Sequence, residues 1–294
     1  MADMTGTTLA TWLPEVWSRI ATVTYRSNVV YNPLFDHRWE PEIGLSRGDT
    51  VNIPGFTQNS SASNRGAGTG TFGTGASITF DAVTESQVQL KVNRLYYKAW
   101  RMPIEMVGQV MAPYPTLLMD GAAQACVLQE DTDMSADGTD GVDSFTTVVG
   151  TDNVDITEDS LFTVNTNMDN QNAPAIGRAV VLSPASWASV LKIDSVRNQL
   201  YRDTLGSLQG DRTAGFMGRF LTFDFYMSNN NEAGTSGKKN AAFYKEAIAV
   251  ARQMNLASLT QTNLADGIFQ EHVTFMTMGF KKVVDGYGNE LDGK

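Results

Sequence analysis

Hydrophobic positions recur along this chain in two rhythms, and each change of rhythm marks a change of element. Leu13, Val16, Trp17, Ile20 and Val23 fall at helical spacing, and Pro14 suits a first helical turn, so an amphipathic helix is predicted over 13–23. The next stretch, RSNVVYNPLFDHRWEPEIG, mixes aromatic and apolar residues without a steady period and carries two prolines. It predicts an extended arm that needs a surface to lie on. From Arg47 to Pro54, Val51 and Ile53 alternate with polar residues. From Ser77 to Val92, Ile78, Phe80 and Ala82 share one face, and Val88, Leu90 and Val92 resume the period. The run between these two strands, FTQNSSASNRGAGTGTFGTGAS, is too rich in Gly, Ser, Thr and Asn to bury itself. The unit reads as a long hairpin with a mobile tip. Two strands alone are marginal in water, so such a hairpin must fold back on its own domain or lie on a neighbour.

The helical rhythm returns after Pro113 and Pro115, where Leu118, Ala122, Ala125 and Gln129 line one side of a long helix predicted over 116–134. The loop DMSADGTDGVDSFTTVVGTDN then breaks regular structure and marks a subdomain boundary. Thr157 reads as an N-cap, with Glu158 and Asp159 in the first turn and Leu161, Val164 and Met168 on one face. A short buried strand is expected over 178–182, followed by Ser183 and Pro184 opening a helix that buries Trp187, Val190 and Leu191. Leu221, Phe223, Phe225 and Met227 alternate as a strand; Phe243, Ala247, Val250, Ala251 and Met254 suggest a helix face; His272 to Val284 is again strand-like, closed by DGYGN. The sum is an α+β chain with a mixed α/β layer.

Composition narrows what such a chain does. With 42% hydrophobic and 18% charged residues it carries a globular core, and 294 residues suffice for one large domain or two modest ones. A net charge of -10 argues against a general grip on nucleic acid, which needs clustered Lys and Arg. Cys126 is the single cysteine, so no intrachain disulfide forms and a reducing compartment fits. The N-terminal stretch lacks the basic start and apolar run of a secretory signal, and no segment approaches the roughly 18 apolar residues of a membrane span, so a cytoplasmic, membrane-free chain is expected.

Chemical motifs are weak. Gly68, Gly70 and Gly73 form a GxGxxG pattern, but the next element is a strand where a dinucleotide site needs a helix, so no cofactor is expected. Asp133, Ser135, Asp137 and Gly138 resemble the start of a calcium loop, yet its twelfth position is Ser144, which lacks the bidentate carboxylate, so no metal is expected. His37 and His272 have no second His or Cys at ligand spacing. No catalytic constellation stands out, and the chain is not expected to be an enzyme.

The order of elements carries more. RGDTVNIPGF opens the hairpin and VQLKVNRLYYKAW closes it; NAPAIGRAVVLSPASWASVL and KNAAFYKEAIAVARQ lie in the α/β part; FMTMGFKKVV comes near the end. In this order the chain resembles the major capsid (coat) proteins of tailed bacteriophages, which have the Hong Kong ninety-seven fold. The resemblance implies an N-arm over 1–40, an E-loop hairpin over 41–90, a peripheral P-domain with its spine helix over 91–136 and 265–294, and an axial A-domain over 137–264. It implies self-assembly into hexamers and pentamers of an icosahedral shell around a double-stranded DNA genome, without sequence-specific DNA binding. The place of action is then the virion capsid, with assembly in the host cytoplasm. Arm and hairpin would lie across the next subunit, with Trp12, Trp17, Phe35 and Trp39 of the arm and Arg65 and Phe72 of the hairpin tip as interface candidates. The tip has no lysine, so the covalent cross-link of some family members is not expected. The arm begins close to Met1, so a separate scaffolding protein is the expected assembly partner, beside a portal protein and cement proteins. An encapsulin-like compartment shell and a hydrolase with an α/β core are the alternatives.

Overall fold

A computed structural model describes residues 29–45, 50–56, 85–107, 113–196, 216–264 and 267–294. The helix expected over 13–23, the hairpin tip with its glycine pattern, and the strand positions Ile78, Phe80 and Ala82 lie outside these residues. The described chain opens with two short helices, α1 (Tyr31–Leu34) and α2 (Glu40–Leu45). The stretch expected to be extended is therefore coiled into turns around its prolines. Strands β1 (Thr50–Phe56) and β2 (Glu85–Lys91) pair antiparallel from Thr50 opposite Lys91 to Phe56 opposite Glu85, which is the expected hairpin. Strand β3 (Arg94–Pro103) leads through α3 (Ile104–Val107) to the long helix α4 (Pro113–Ala136).

Then come β4 (Val148–Gly150), α5 (Glu158–Asn170), β5 (Arg178–Leu182) and α6 (Pro184–Val190). Thr157 caps α5 by accepting from the Ser160 N–H at 3.3 Å, and Ser183 caps α6 by accepting from the Ser186 N–H at 3.1 Å. The chain continues with β6 (Phe216–Phe220), β7 (Phe223–Met227), β8 (Lys238–Tyr244), β9 (Ile248–Asn263), β10 (Phe269–Lys282) and β11 (Gly288–Gly293). Leu191 stands at the end of α6 half exposed, and Leu221 lies in the β6–β7 turn with φ 53°, so neither belongs to the element expected for it.

Three sheets result, ordered β1-β2, β3-β10-β9 and β4-β11-β8-β5-β7-β6. The six-stranded sheet is buried on both faces. Val180 and Leu182 of β5 point into one core with α5 and α6, whereas Ala179 and Val181 point into a second with Met134 of α4. That is why RAVVL is apolar without alternation. The segment expected to form a helix around Val250 is β9, for the same reason: Ile248 and Val250 enter one core, Ala249 and Ala251 another beneath the hairpin. A strand apolar on both faces has no period of two, and its spacing matched a helix by coincidence.

β9 lies in the three-stranded sheet with β10, and β11 lies in the six-stranded sheet between β4 and β8.

Candidate assembly surface

Helix α4 is the hub from which the other parts are held. Ala122, Cys126, Glu130 and Met134 repeat every four residues along its buried face, and Asp131 and Ser135 border them. The expected face through Ala125 and Gln129 is exposed instead. Two neighbouring carboxylates thus sit fully inside the protein. Asp131 accepts from the N–H groups of Val30 and Tyr31 at 3.0 and 2.7 Å and from Asn230 Nδ2 at 2.8 Å. Glu130 takes both of its oxygens to Arg252, at 2.6 and 2.9 Å, and also accepts from Asn32. Burial pushes both carboxyl groups above their ordinary range, and these partners pull them partly back. Sequence reasoning missed the pair, although Glu130, which continues the four-residue spacing of Ala122 and Cys126, was its available signal.

The carboxylates fix the root of the arm. Val30 to Asn32 are tied to α4, and Phe35 sits fully buried with its ring 4.8 Å from Phe243 and 6.1 Å from Tyr31. Asp36 then bridges to β9, its N–H donating to Ile248 O at 3.2 Å and its carbonyl accepting from the Val250 N–H at 2.8 Å. Phe35 is therefore an anchor of its own chain's core, which corrects its expected role at a neighbour: α1 turns the chain so that the ring enters the gap above β8. Trp39 is half-buried against the core of Ile43, Val51, Ile53 and Leu90, with the Arg38 guanidinium 4.9 Å above its ring. Trp12, Trp17, Arg65 and Phe72 lie outside the described residues.

The acidic loop after α4 is neutralised from within. Asp137 accepts from the Thr139 and Asp140 N–H groups at 2.7 and 3.0 Å and pairs with Arg94; Asp140 pairs with Lys281, and Asp143 with Lys239. Among the described residues no three His, Cys, Asp or Glu side chains group as metal ligands. The loop instead clamps both larger sheets, with cations from β3, β10 and β8. Glu290 of β11 shares Lys239 at 3.5 Å; burial pushes its carboxyl up to about 7, Lys239 opposes this, and Asp143 adds to it. His272 is buried with its ring stacked 4.1 Å from Trp100, and its Nδ1 lies 2.6 Å from the Thr260 hydroxyl. His37 bridges Asn32 O and Glu40 within the arm. Both histidines serve local structure.

Where the described residues cover the six-stranded sheet on both faces, they cover the three-stranded sheet on one. Its α4 side buries Tyr96, Met102, His272, Thr274 and Met276. Its other side presents Leu95 and Tyr97, 59% and 67% exposed, beside the half-buried Val273 and Phe275 and the 63% exposed Leu259. Register places Tyr97 opposite Phe275 and Phe275 opposite Ala257, with Val273 opposite Leu259, so these side chains form one continuous apolar surface. No helix among the described residues is long and apolar enough to cross a membrane.

No protein-family model matches this chain, and no curated protein matches it in sequence. Solved structures do match in fold. A structure from Mycobacterium phage Che8 superposes with a TM-score of 0.73 at 20% identity, covering 96% of this chain and 98% of that one. The capsid of cyanophage P-SCSP1u gives 0.67 at 13% identity, covering 100% and 97%. The capsid of the myovirus phage XM1 gives 0.65 at 10% identity, covering 100% and 99%. The chain has the fold of tailed-phage capsid proteins, as the order of its motifs implied.

Proposed function

We propose that this chain is the major capsid protein of a tailed bacteriophage, assembling into rings of six and five that close as a shell around double-stranded DNA. The observation that carries this reading is the fold match over nearly the full length of both chains, where the compared structures include phage capsids. A surface argument supports it independently. A sheet that leaves Leu95, Tyr97, Phe275 and Leu259 in one uncovered patch is unsuited to a solitary soluble protein and suited to a subunit. The hairpin β1–β2 and the arm supply reaching elements, and a head-to-tail contact through them closes rings. The 32 acids against 22 Lys and Arg fit a container that encloses nucleic acid without gripping it. Scaffolding, portal and cement proteins are the expected partners in the virion and in the host cytoplasm during assembly.

Electron microscopy of the chain expressed alone and with candidate scaffolding proteins tests this. Closed shells, rings or curved sheets are expected. Uniform small particles under every condition overturn the reading.

A further inference from the structure

The three-stranded sheet has two outer strands of opposite character. β3 carries Arg94, Lys98 and Arg101 and ends at Pro103, the features by which soluble proteins blunt an exposed edge. β9 has no such protection: from Gln253 to Leu264 there is no charged residue and no proline. Met254, Leu256, Leu259 and Leu264 in this run are 45%, 43%, 63% and 72% exposed. Beyond an irregularity near Thr277, its register with β10 is unbroken from Ala257 to Asn263, so this part is a regular strand. Among the described residues, β10 is the strand partner of this stretch, and the bridge from Asp36 on the outer side of β9 lies well before it, at Ala249. In a chain where 18% of residues are charged, an uncharged strand on an exposed sheet edge favours pairing with another backbone.

We propose that β9 pairs edge to edge and antiparallel with β9 of a second copy across a two-fold axis, joining two three-stranded sheets into one. A two-fold contact sets a surface against itself, so a strand whose charges are all of one sign brings like charges together around the axis. The uncharged stretch of β9 avoids this, and β3, with three cations, does not. The paired stretch of 257–263 spans about 24 Å at roughly 3.4 Å per residue, a length common among sheet strands. The seam also extends the patch of Tyr97, Phe275 and Leu259 from one copy toward its equivalent. This inference rests on the capsid reading and deepens it: head-to-tail contacts close each ring, and a separate two-fold contact joins ring to ring.

Hydrogen exchange of the full-length chain, free and assembled, tests the pairing directly. Alternate amides within 257–263 are expected to slow at least tenfold on assembly, because backbone pairing protects every second N–H. The double variant Leu256→Lys with Thr262→Lys places exposed cations on the seam. It is expected to keep the wild-type circular dichroism and melting temperature while its yield of closed shells falls at least tenfold, with rings still forming; Thr166→Lys on the exposed face of α5 leaves shell yield unchanged. Shells whose β9 amides exchange as fast as in the free chain overturn the pairing and leave the capsid reading intact. A variant that closes shells at the wild-type yield overturns it as well. A wild-type chain that never associates removes both readings together.

Discussion

The six-stranded and the three-stranded sheets solve the same packing problem to different degrees. The first is closed on both faces: β5 and β7 are sandwiched between α5 and α6 on one side and α4 with the arm root on the other, and Phe223, Phe225 and Phe243 are fully buried. The second has α4 on one face and open apolar side chains on the other. On the capsid reading, the difference separates what the chain needs to fold from what it offers to other copies. Interior packing in the first sheet is expected to dominate stability, whereas the outer face of the second should contribute little to a free chain and, on the capsid reading, more to an assembled one.

The sharpest break of that comparison is in the doubly covered sheet. Phe225→Ala removes a ring that lies 5.9 Å from Trp187 in a closed core, and cavity formation of this kind costs about 3–5 kcal/mol. Urea unfolding of the free chain is expected to show that loss as a lower midpoint with an unchanged slope. A loss below about 1 kcal/mol would mean that this core is loosely packed and that the two sheets differ less than their burial implies.

A smaller effect is expected at the clamp where the two sheets meet. The folded-state carboxyl of Glu290 is raised to about 7 from its ordinary 4.5, chiefly by burial. The folded protein therefore holds a proton that the unfolded chain releases at lower pH. Its stabilising contribution is complete below about 4.5 and is lost as the pH rises through about 7. Glu290→Gln mimics the protonated form, so it is expected to raise stability at pH 8 by on the order of 2 kcal/mol and to leave it unchanged near pH 4. Paired melting curves at the two pH values check this, and an equal shift at both rules out titration of Glu290 as the cause.

The same contrast governs what the sequence disclosed. Elements specified by local chemistry were legible: the caps Thr157 and Ser183, Pro184 in the first turn of α6, and the two strands of the hairpin with their alternating Val51, Ile53, Val88 and Leu90. Segments set by tertiary context were not. Ile248 to Ala251 look helical because both faces of β9 are buried there, and Phe35 looked free because the slot beside Phe243 is made by residues some 200 positions away. Glu130 and Asp131 read as a helix's polar end, although Arg252, Asn230 and the arm backbone draw them inside. The apolar sheet face was hidden for a related reason: Leu95 and Tyr97 of β3, Phe275 of β10 and Leu259 of β9 lie in three separate stretches of sequence and join only through register.

The smallest expected effect on folding is the most informative about function. Leu95→Ser with Tyr97→Ser changes two side chains that are more than half exposed in the free chain, so its stability should stay within about 0.5 kcal/mol of wild type. On the capsid reading, removing them takes apolar area chiefly from the contact with another copy. Sedimentation of the variant under conditions where the wild type assembles is expected to leave the chain in the small-particle fraction, with an unchanged melting curve. On the capsid reading the two readouts separate, because association completes this surface as folding completes the surroundings of Phe225. Assembly at the wild-type level would mean that this face points to solvent in the shell, and the contact must then be sought along the arm and the hairpin.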